Sequence, residues 1–307
     1  MSHASSFVEQ GYLVVPDLVD ATDRREVVAD IARFVRGEYP VLGAPDVPPG
    51  LDDETASQQV LAIHFPHWVS PVAARMLVHP GIAAVLAEIT GAHLPSWDGA
   101  VKACQSMLFV KGPGMPGQAW HQDERYIPTR DRSLVGAWIA LDDATVDNGC
   151  LWVLPRSHRT GFLHPTRAHG RPDEFDTADE AYGFDDSGAV AVEVPAGSVV
   201  FFNGYLLHRS LRNRSGGFRR ALVNHYLNAW SLLPWHPGGE VPGGAIPTLD
   251  NRAIVPLGHD PYAAKGIDPH PDRCFVRPLP GQRWAVDAGV PDDPAGAVTD
   301  QANSSNS

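Results

Sequence analysis

The chain has little of what marks several specialised protein classes. It holds three cysteines, Cys104, Cys150 and Cys274, odd in number and far apart. They form no disulfide framework and no Cys-x-x-Cys site, which fits a reducing compartment. Lys and Arg number 24 against 36 Asp and Glu, a net charge of -12. No basic surface is evident to meet nucleic-acid phosphates or an anionic membrane. The N-terminus lacks a basic segment leading into an apolar run, so no signal peptide is expected. No apolar stretch approaches the length of a bilayer span. A soluble, cytoplasmic protein with no nucleic-acid or membrane partner is expected, as a monomer or homodimer. There is no internal repeat. No Gly-x-Ser-x-Gly elbow accompanies Ser157-His158, which argues against a hydrolase.

What is present is a long chain rich in turn formers. At 307 residues and 43% hydrophobic, it can bury a full core in one large domain. Its 29 Gly and 28 Pro suit a β-rich fold with long loops. Residues 7–100 read as mainly helical support plus a first strand. Within them, residues 20–37 repeat Val27, Val28, Ile31, Phe34 and Val35 on one face, and Asp23 with Glu26 resembles a capping box. Residues 40–58 read as a mobile loop, and Ser70-Pro71 opens another helix. From residue 101 to 230 the period shortens to β-prone runs between Gly, Pro, Asp and Asn, which predicts a jelly roll of about eight strands. Residues 160–187 interrupt that core, 231–289 read as a loop-rich lid or C-terminal extension, and 290–307 read as a disordered tail.

The segment Trp120-His121-Gln122-Asp123 carries the chemistry. On a strand, His121 and Asp123 project to the same face. A distant His208 would complete a two-His, one-carboxylate set, which leaves the opposite face of a metal open and suits Fe(II) and O2. A second triplet, His270-Pro271-Asp272, has no His after it and serves as a control. Arg219 lies eleven residues beyond His208, across a turn-rich stretch. The two are expected on neighbouring antiparallel strands joined by a hairpin, facing one pocket. A planar, permanently charged fork suits the far carboxylate of a 2-oxo acid that chelates the metal. His225, on the strand after Arg219, is the remaining histidine of interest. For His64, His67, His158, His164, His236 and His259 no ligand spacing is defensible.

These residues resemble the phytanoyl-CoA dioxygenase family of Fe(II)/2-oxoglutarate-dependent oxygenases. The resemblance is carried by Trp120 to Asp123, by Gly136-Ala-Trp138, by Asn148-Gly149-Cys150 through Ser157-His158, and by His208 with Gly217-Phe218-Arg219. It implies an all-β core in the form of a double-stranded β-helix, cupin-like, with N-terminal helices packed on it. It implies iron ligation by His121, Asp123 and His208, and 2-oxoglutarate held by Arg219 with Ser210 beside it. Gln105, Met107, Gln122 and Trp138 would line the co-substrate pocket. The implied reaction consumes O2 and 2-oxoglutarate, releases succinate and CO2, and oxidises an unactivated carbon of a small molecule. Related halogenating enzymes have a small residue where Asp123 stands, so oxygen insertion rather than chlorination is expected. Arg125, Tyr126 and Trp230 are candidates for substrate contact. The alternative is a cupin-like metal enzyme or ligand-binding jelly roll without 2-oxoglutarate, in which Arg219 has no purpose at that spacing.

Overall fold

The computed structural model describes residues 2–234 and 249–277. The residue 290–307 tail, His236, and parts of the expected lid (235–248 and 278–289) fall outside the described residues. In chain order the elements are α1 (His3–Gln10), β1 (Tyr12–Val15), α2 (Ala21–Val35), β2 (Val41–Leu42), α3 (Asp53–Ser57), β3 (Ala62–His64), α4 (Pro71–Leu77) and α5 (Pro80–Ile89). Strands then follow: β4 (Val101–Lys111), β5 (Gln118–His121), β6 (Val135–Ala140), β7 (Leu151–Val153), β8 (Thr166–Arg167), β9 (Glu180–Ala181), β10 (Val190–Val192), β11 (Val199–Asn203), β12 (His208–Ser210), β13 (Arg219–Asn228), β14 (Ile254–Leu257) and β15 (Cys274–Arg277).

Two sheets make the core. The larger runs β1-β11-β6-β13-β4-β3-β15-β2 with β14 added against β4, and the smaller runs β10-β7-β12-β5. Strand alternation explains what holds them together. Along β6, Trp138 and Ala140 join Leu151, Val153 and Val192 of the smaller sheet in one apolar cluster. The intervening Ala137 and Ile139 join a second cluster with Ile31, Phe34, Met76 and Leu86 of the helices. The large sheet is thus covered on both faces, so its strands read as nearly continuous apolar runs.

The helices start where short polar side chains satisfy their free N–H groups. Asp20, and not the expected Asp23–Glu26 box, caps α2, its carboxylate accepting from Thr22 N at 2.7 Å and Asp23 N at 2.9 Å. Glu26 instead pairs with Arg75 of α4. Ser70 caps α4 by accepting from Ala73 N at 3.0 Å, and its hydroxyl donates to Asp30 of α2, which also receives the Tyr39 hydroxyl at 2.7 Å. Ser70 is buried. Ser70→Ala removes a cap and one acid partner together, and is expected to cost about 1–2 kcal/mol, read as a lower urea midpoint at unchanged slope.

Four expectations need correction. Residues 40–58 are not one loop: β2 pairs in parallel with β15, and Asp52 caps α3 by accepting from Thr55 N at 2.8 Å. The C-terminal extension adds β14 and β15 to the large sheet. It is pinned there by the buried Lys102, whose ammonium lies 2.6 Å from the equally buried Asp250, itself 2.9 Å from Lys265. One apolar stretch does reach membrane-span length, the 19 residues Pro71–Ile89 at mean hydropathy 1.5. The chain breaks it between α4 and α5, whose inner faces pack into the helix-facing core. Finally, His208 and Arg219 are not on neighbouring strands. β12 pairs with β5 and β7, whereas β13 pairs with β4 and β6, so the two residues approach one cavity from facing sheets.

Candidate metal centre and its cavity

The smaller sheet sets His208 directly opposite His121 in the β12–β5 register, with ring centroids 4.0 Å apart. β5 ends at His121, and Asp123 opens a short 3-10 turn. Gln122 between them stays extended (φ -133°, ψ 123°), so alternation carries on and Asp123 returns to the His121 face. Asp123 Oδ1 lies 3.6 Å from His121 Nε2 and 3.6 Å from His208 Nε2. Those distances exceed hydrogen-bond reach, yet all three donor atoms fall within 4.8 Å of one another.

The histidines are oriented for ligation. His121 Nδ1 lies 2.8 Å from Ala119 O and His208 Nδ1 lies 2.9 Å from Leu206 O. A carbonyl accepts only, so each Nδ1 donates and each Nε2 lone pair faces Asp123. Burial, then the neighbouring His208, pushes the His121 pKa down to about 3, keeping that imidazole neutral. Burial alone would raise the Asp123 carboxyl, but His208, His225 and His121 together hold it well below the usual carboxylate range. His225 Nε2 lies 2.9 Å from Asp123 Oδ2, leaving Oδ1 to face the cluster. The site thus offers two imidazole Nε2 atoms and one carboxylate oxygen, with each outer atom already bonded. That donor set fits a divalent transition metal such as Fe(II).

The cluster opens into a cavity of about 560 Å³. β13 contributes Arg219, Val223 and His225 from one face, and β4 contributes Gln105, Met107, Phe109 and Lys111 by the same alternation. At one end Arg219 is paired in register with Lys111. Arg219 Nε donates to Gly149 O at 3.1 Å, and its guanidinium stands 5.5 Å from the Trp138 ring centroid. Lys111 donates to Ser210 Oγ at 2.8 Å, Leu211 O at 2.7 Å and Gly149 O at 3.3 Å. Gly149 has φ +81°, and a Cβ there would come 2.4 Å from Leu211 O and 3.0 Å from Lys111 Nζ, so only glycine suits the position. Burial lowers the Arg219 pKa to about 10, and burial with the adjacent Arg219 presses the Lys111 ammonium well below its ordinary value. Among the described residues neither cation has a carboxylate within ion-pair distance.

Of the residues singled out from the sequence, Arg125, Tyr126, Trp138, Ser210, Gln105 and Met107 line this cavity. Gln122 does not. Its amide donates to Phe162 O at 2.9 Å and Tyr205 O at 2.8 Å and accepts from His164 N, because the extended backbone that aims His121 and Asp123 inward aims Gln122 outward. Trp230 does not line it either; its carbonyl accepts from Arg130 at the far end of β13. The control triplet stays away from the cluster: His270 stacks with Trp68, 6.1 Å between centroids. Lys111 escaped the sequence reading, although the Gln105, Met107, Phe109, Lys111 alternation was a usable signal. His225 was noted, but its partner was visible only in the fold.

Facing β-sheets around a two-His, one-carboxylate cluster define a cupin-like metalloprotein. The phytanoyl-CoA dioxygenase family model matches residues 7–221, and the chain belongs to that family. A phytanoyl-CoA dioxygenase of Arabidopsis thaliana is 35% identical over 144 residues, 45% of this chain and 50% of the relative. The matched stretch therefore spans about half the length of that relative. In fold, the chain is similar to the non-haem monooxygenase ThoJ, with a TM-score of 0.61 at 20% identity, covering 92% of this chain and 89% of the other. It is also similar to the epimerase SnoN in complex with Fe3+, α-ketoglutarate and nogalamycin RO, with a TM-score of 0.57 at 19% identity, covering 89% and 96%.

Proposed function

We propose that this chain is an Fe(II)/2-oxoglutarate-dependent dioxygenase that hydroxylates, or otherwise oxidises, an unactivated carbon of a small metabolite or natural-product intermediate. The observation that carries this reading is the buried Arg219–Lys111 pair, which shares a cavity with the three-ligand cluster and has no carboxylate partner among the described residues. A dicarboxylate co-substrate reconciles the two features: one end belongs at the metal and the other neutralises the cations. His121, Asp123 and His208 would hold Fe(II); bound with 2-oxoglutarate and O2, that metal supplies the oxidation, with loss of succinate and CO2. Arg219 fixes the distal carboxylate, Lys111 adds charge and fixes Ser210, and Trp138, Gln105 and Met107 wall the co-substrate. His225 holds the Asp123 carboxylate in its ligating orientation.

The two sheets read as a double-stranded β-helix with α1–α5 as its buttress, all as one domain. The protein would act in the cytoplasm as a monomer or homodimer, on a small molecule rather than on nucleic acid or a membrane. A cupin-like enzyme that does not use 2-oxoglutarate would leave the buried cation pair without a ligand. The deciding experiment is a succinate-release screen with Fe(II), 2-oxoglutarate and a metabolite panel. Absence of tight 2-oxoglutarate binding to the metal-loaded protein sinks the reading.

The occupied carboxylate position sets the outcome. With its true substrate, Fe(II), 2-oxoglutarate, O2 and abundant chloride, the enzyme is expected to give an oxidised product and no chlorinated one by mass spectrometry. Asp123→Gly is expected to lose hydroxylation. A chlorinated product from the parent enzyme would refute the assignment.

A further inference from the structure

Two further guanidiniums, those of Arg277 and Arg125, line the cavity wall. Arg277 closes β15, downstream of the family match, and is 5% exposed. Its Nη1 lies 3.3 Å from Oδ2 of Asp176, also 5% exposed, which belongs to the loop inserted between β7 and β10. Asp176 Oδ1 is already taken by Ala178 N at 3.0 Å. A guanidinium offers five donors. Among the described residues, this ion pair is the single polar contact of the Arg277 side chain. Its remaining donors have no acceptor among the described residues and border the cavity, where a bound ligand can supply one. Arg125 lines the same cavity, and among the described residues its side chain makes no ion pair. Tyr126 lines the cavity with both guanidiniums.

Charge counting at this wall is informative. Arg277 and Asp176 cancel, Arg209 is matched by Asp186 at 3.4 Å, and Arg219 with Lys111 belongs to the co-substrate end. Among the described residues one positive charge, that of Arg125, remains. The surrounding wall is apolar, formed by Leu61, Phe65, Ile127, Leu163 and Phe275. We propose that the substrate is a monoanionic carboxylic acid with an apolar body, its carboxylate taken by Arg277 and Arg125. The planar fork of arginine matches a carboxylate. A dianionic phosphate would leave one charge uncompensated in a buried site. The proposal rests on the oxygenase reading for the location of the reacting carbon, and on the Arg277 and Arg125 guanidiniums for its chemistry.

The test uses three probes with one body: octanoate, octanamide and octyl phosphate. Binding is measured by calorimetry on the full chain loaded with Ni(II), which supports no turnover, with saturating 2-oxoglutarate to fill the Arg219 end. Octanoate is expected to bind about tenfold or more tighter than either other probe, about 1.4 kcal/mol per decade. Arg277→Gln and Arg125→Gln are each expected to weaken octanoate by about tenfold or more and to leave octanamide unchanged. Octanoate binding no tighter than octanamide, undetectable binding of both included, overturns the proposal. So does tighter binding of octyl phosphate, or an equal loss for octanoate and octanamide in the variants. Arg125 is only partly buried, so Arg125→Gln decides the matter if Arg277→Gln does not fold. Titration of 2-oxoglutarate into the Ni(II) protein separates the two readings. If 2-oxoglutarate binds and octanoate shows no preference, the carboxylate proposal alone fails. If 2-oxoglutarate does not bind, the oxygenase reading fails, and the Arg277-dependence of octanoate is read on the Ni(II) protein without it.

Discussion

Asp123→Ala is expected to abolish turnover and stoichiometric iron binding while the protein keeps its fold, and His121→Ala and His208→Ala are expected to do the same. The reason is geometric. Each of the three donor atoms is held by a separate restraint: Ala119 O on His121, Leu206 O on His208, and His225 on Asp123. Losing any one leaves two ligands and an open side, and the remaining groups cannot swing in because their outer atoms are bonded. Asp123 is also the one anion of the cluster, so its removal takes away the charge that balances a divalent cation. The fold survives because the cluster lies at the rim of the sheet sandwich, outside its apolar core clusters. Metal analysis, succinate release and circular dichroism are the measurements. Full iron occupancy with full activity in His121→Ala would dismiss the ligand assignment.

Arg219→Ala is expected to weaken 2-oxoglutarate by about 30-fold or more. Removing one partner of a buried charge-assisted pair costs roughly 2–5 kcal/mol, and each 1.4 kcal/mol is about a decade in affinity. Lys111 does not compensate, because its three donors are engaged with Ser210, Leu211 and Gly149. Its stem leaves β4 opposite Arg219 and cannot reproduce the planar fork. Arg219→Lys is therefore expected to recover only part of the loss. Calorimetry with 2-oxoglutarate on the Ni(II)-loaded protein gives the affinity directly, and the KM for 2-oxoglutarate under turnover gives a second reading. An unchanged affinity in Arg219→Ala would show that another cation anchors the co-substrate.

Much of this was legible in the residues themselves. The helix starts at Asp20 and Ser70, the apolar strand runs of β6, β11 and β13, and the face shared by His121 and Asp123 all follow from local rules of capping and alternation. Local rules also gave misplaced expectations where two of them competed. Asp23–Glu26 has capping-box spacing, yet Asp20 stands one turn earlier with the same chemistry and takes the free N–H groups first. Residues 40–58 look like loop by composition, because β2 is only two residues long and gains its pairing from β15, far away in the chain. The family resemblance implied a place for Gln122 in the co-substrate pocket, whereas extended backbone sends it to the opposite side.

The sequence by itself determined the face shared by His121 and Asp123 and the alternation of the strands, because each depends on residue type and on neighbours a few positions away; His208 and Arg219 were singled out through the family resemblance. Only the tertiary structure decided that β12 and β13 lie in different sheets, so that His208 and Arg219 meet across a cavity instead of along a hairpin. It also decided that His225 meets Asp123, that Lys111 joins Arg219, and that Arg277 reaches the cavity to pair with Asp176. Those three contacts join residues far apart in the chain, and no local spacing encodes them. They arise because burying both faces of the large sheet fixes the register of every strand, and the register then decides which polar side chains are enclosed together.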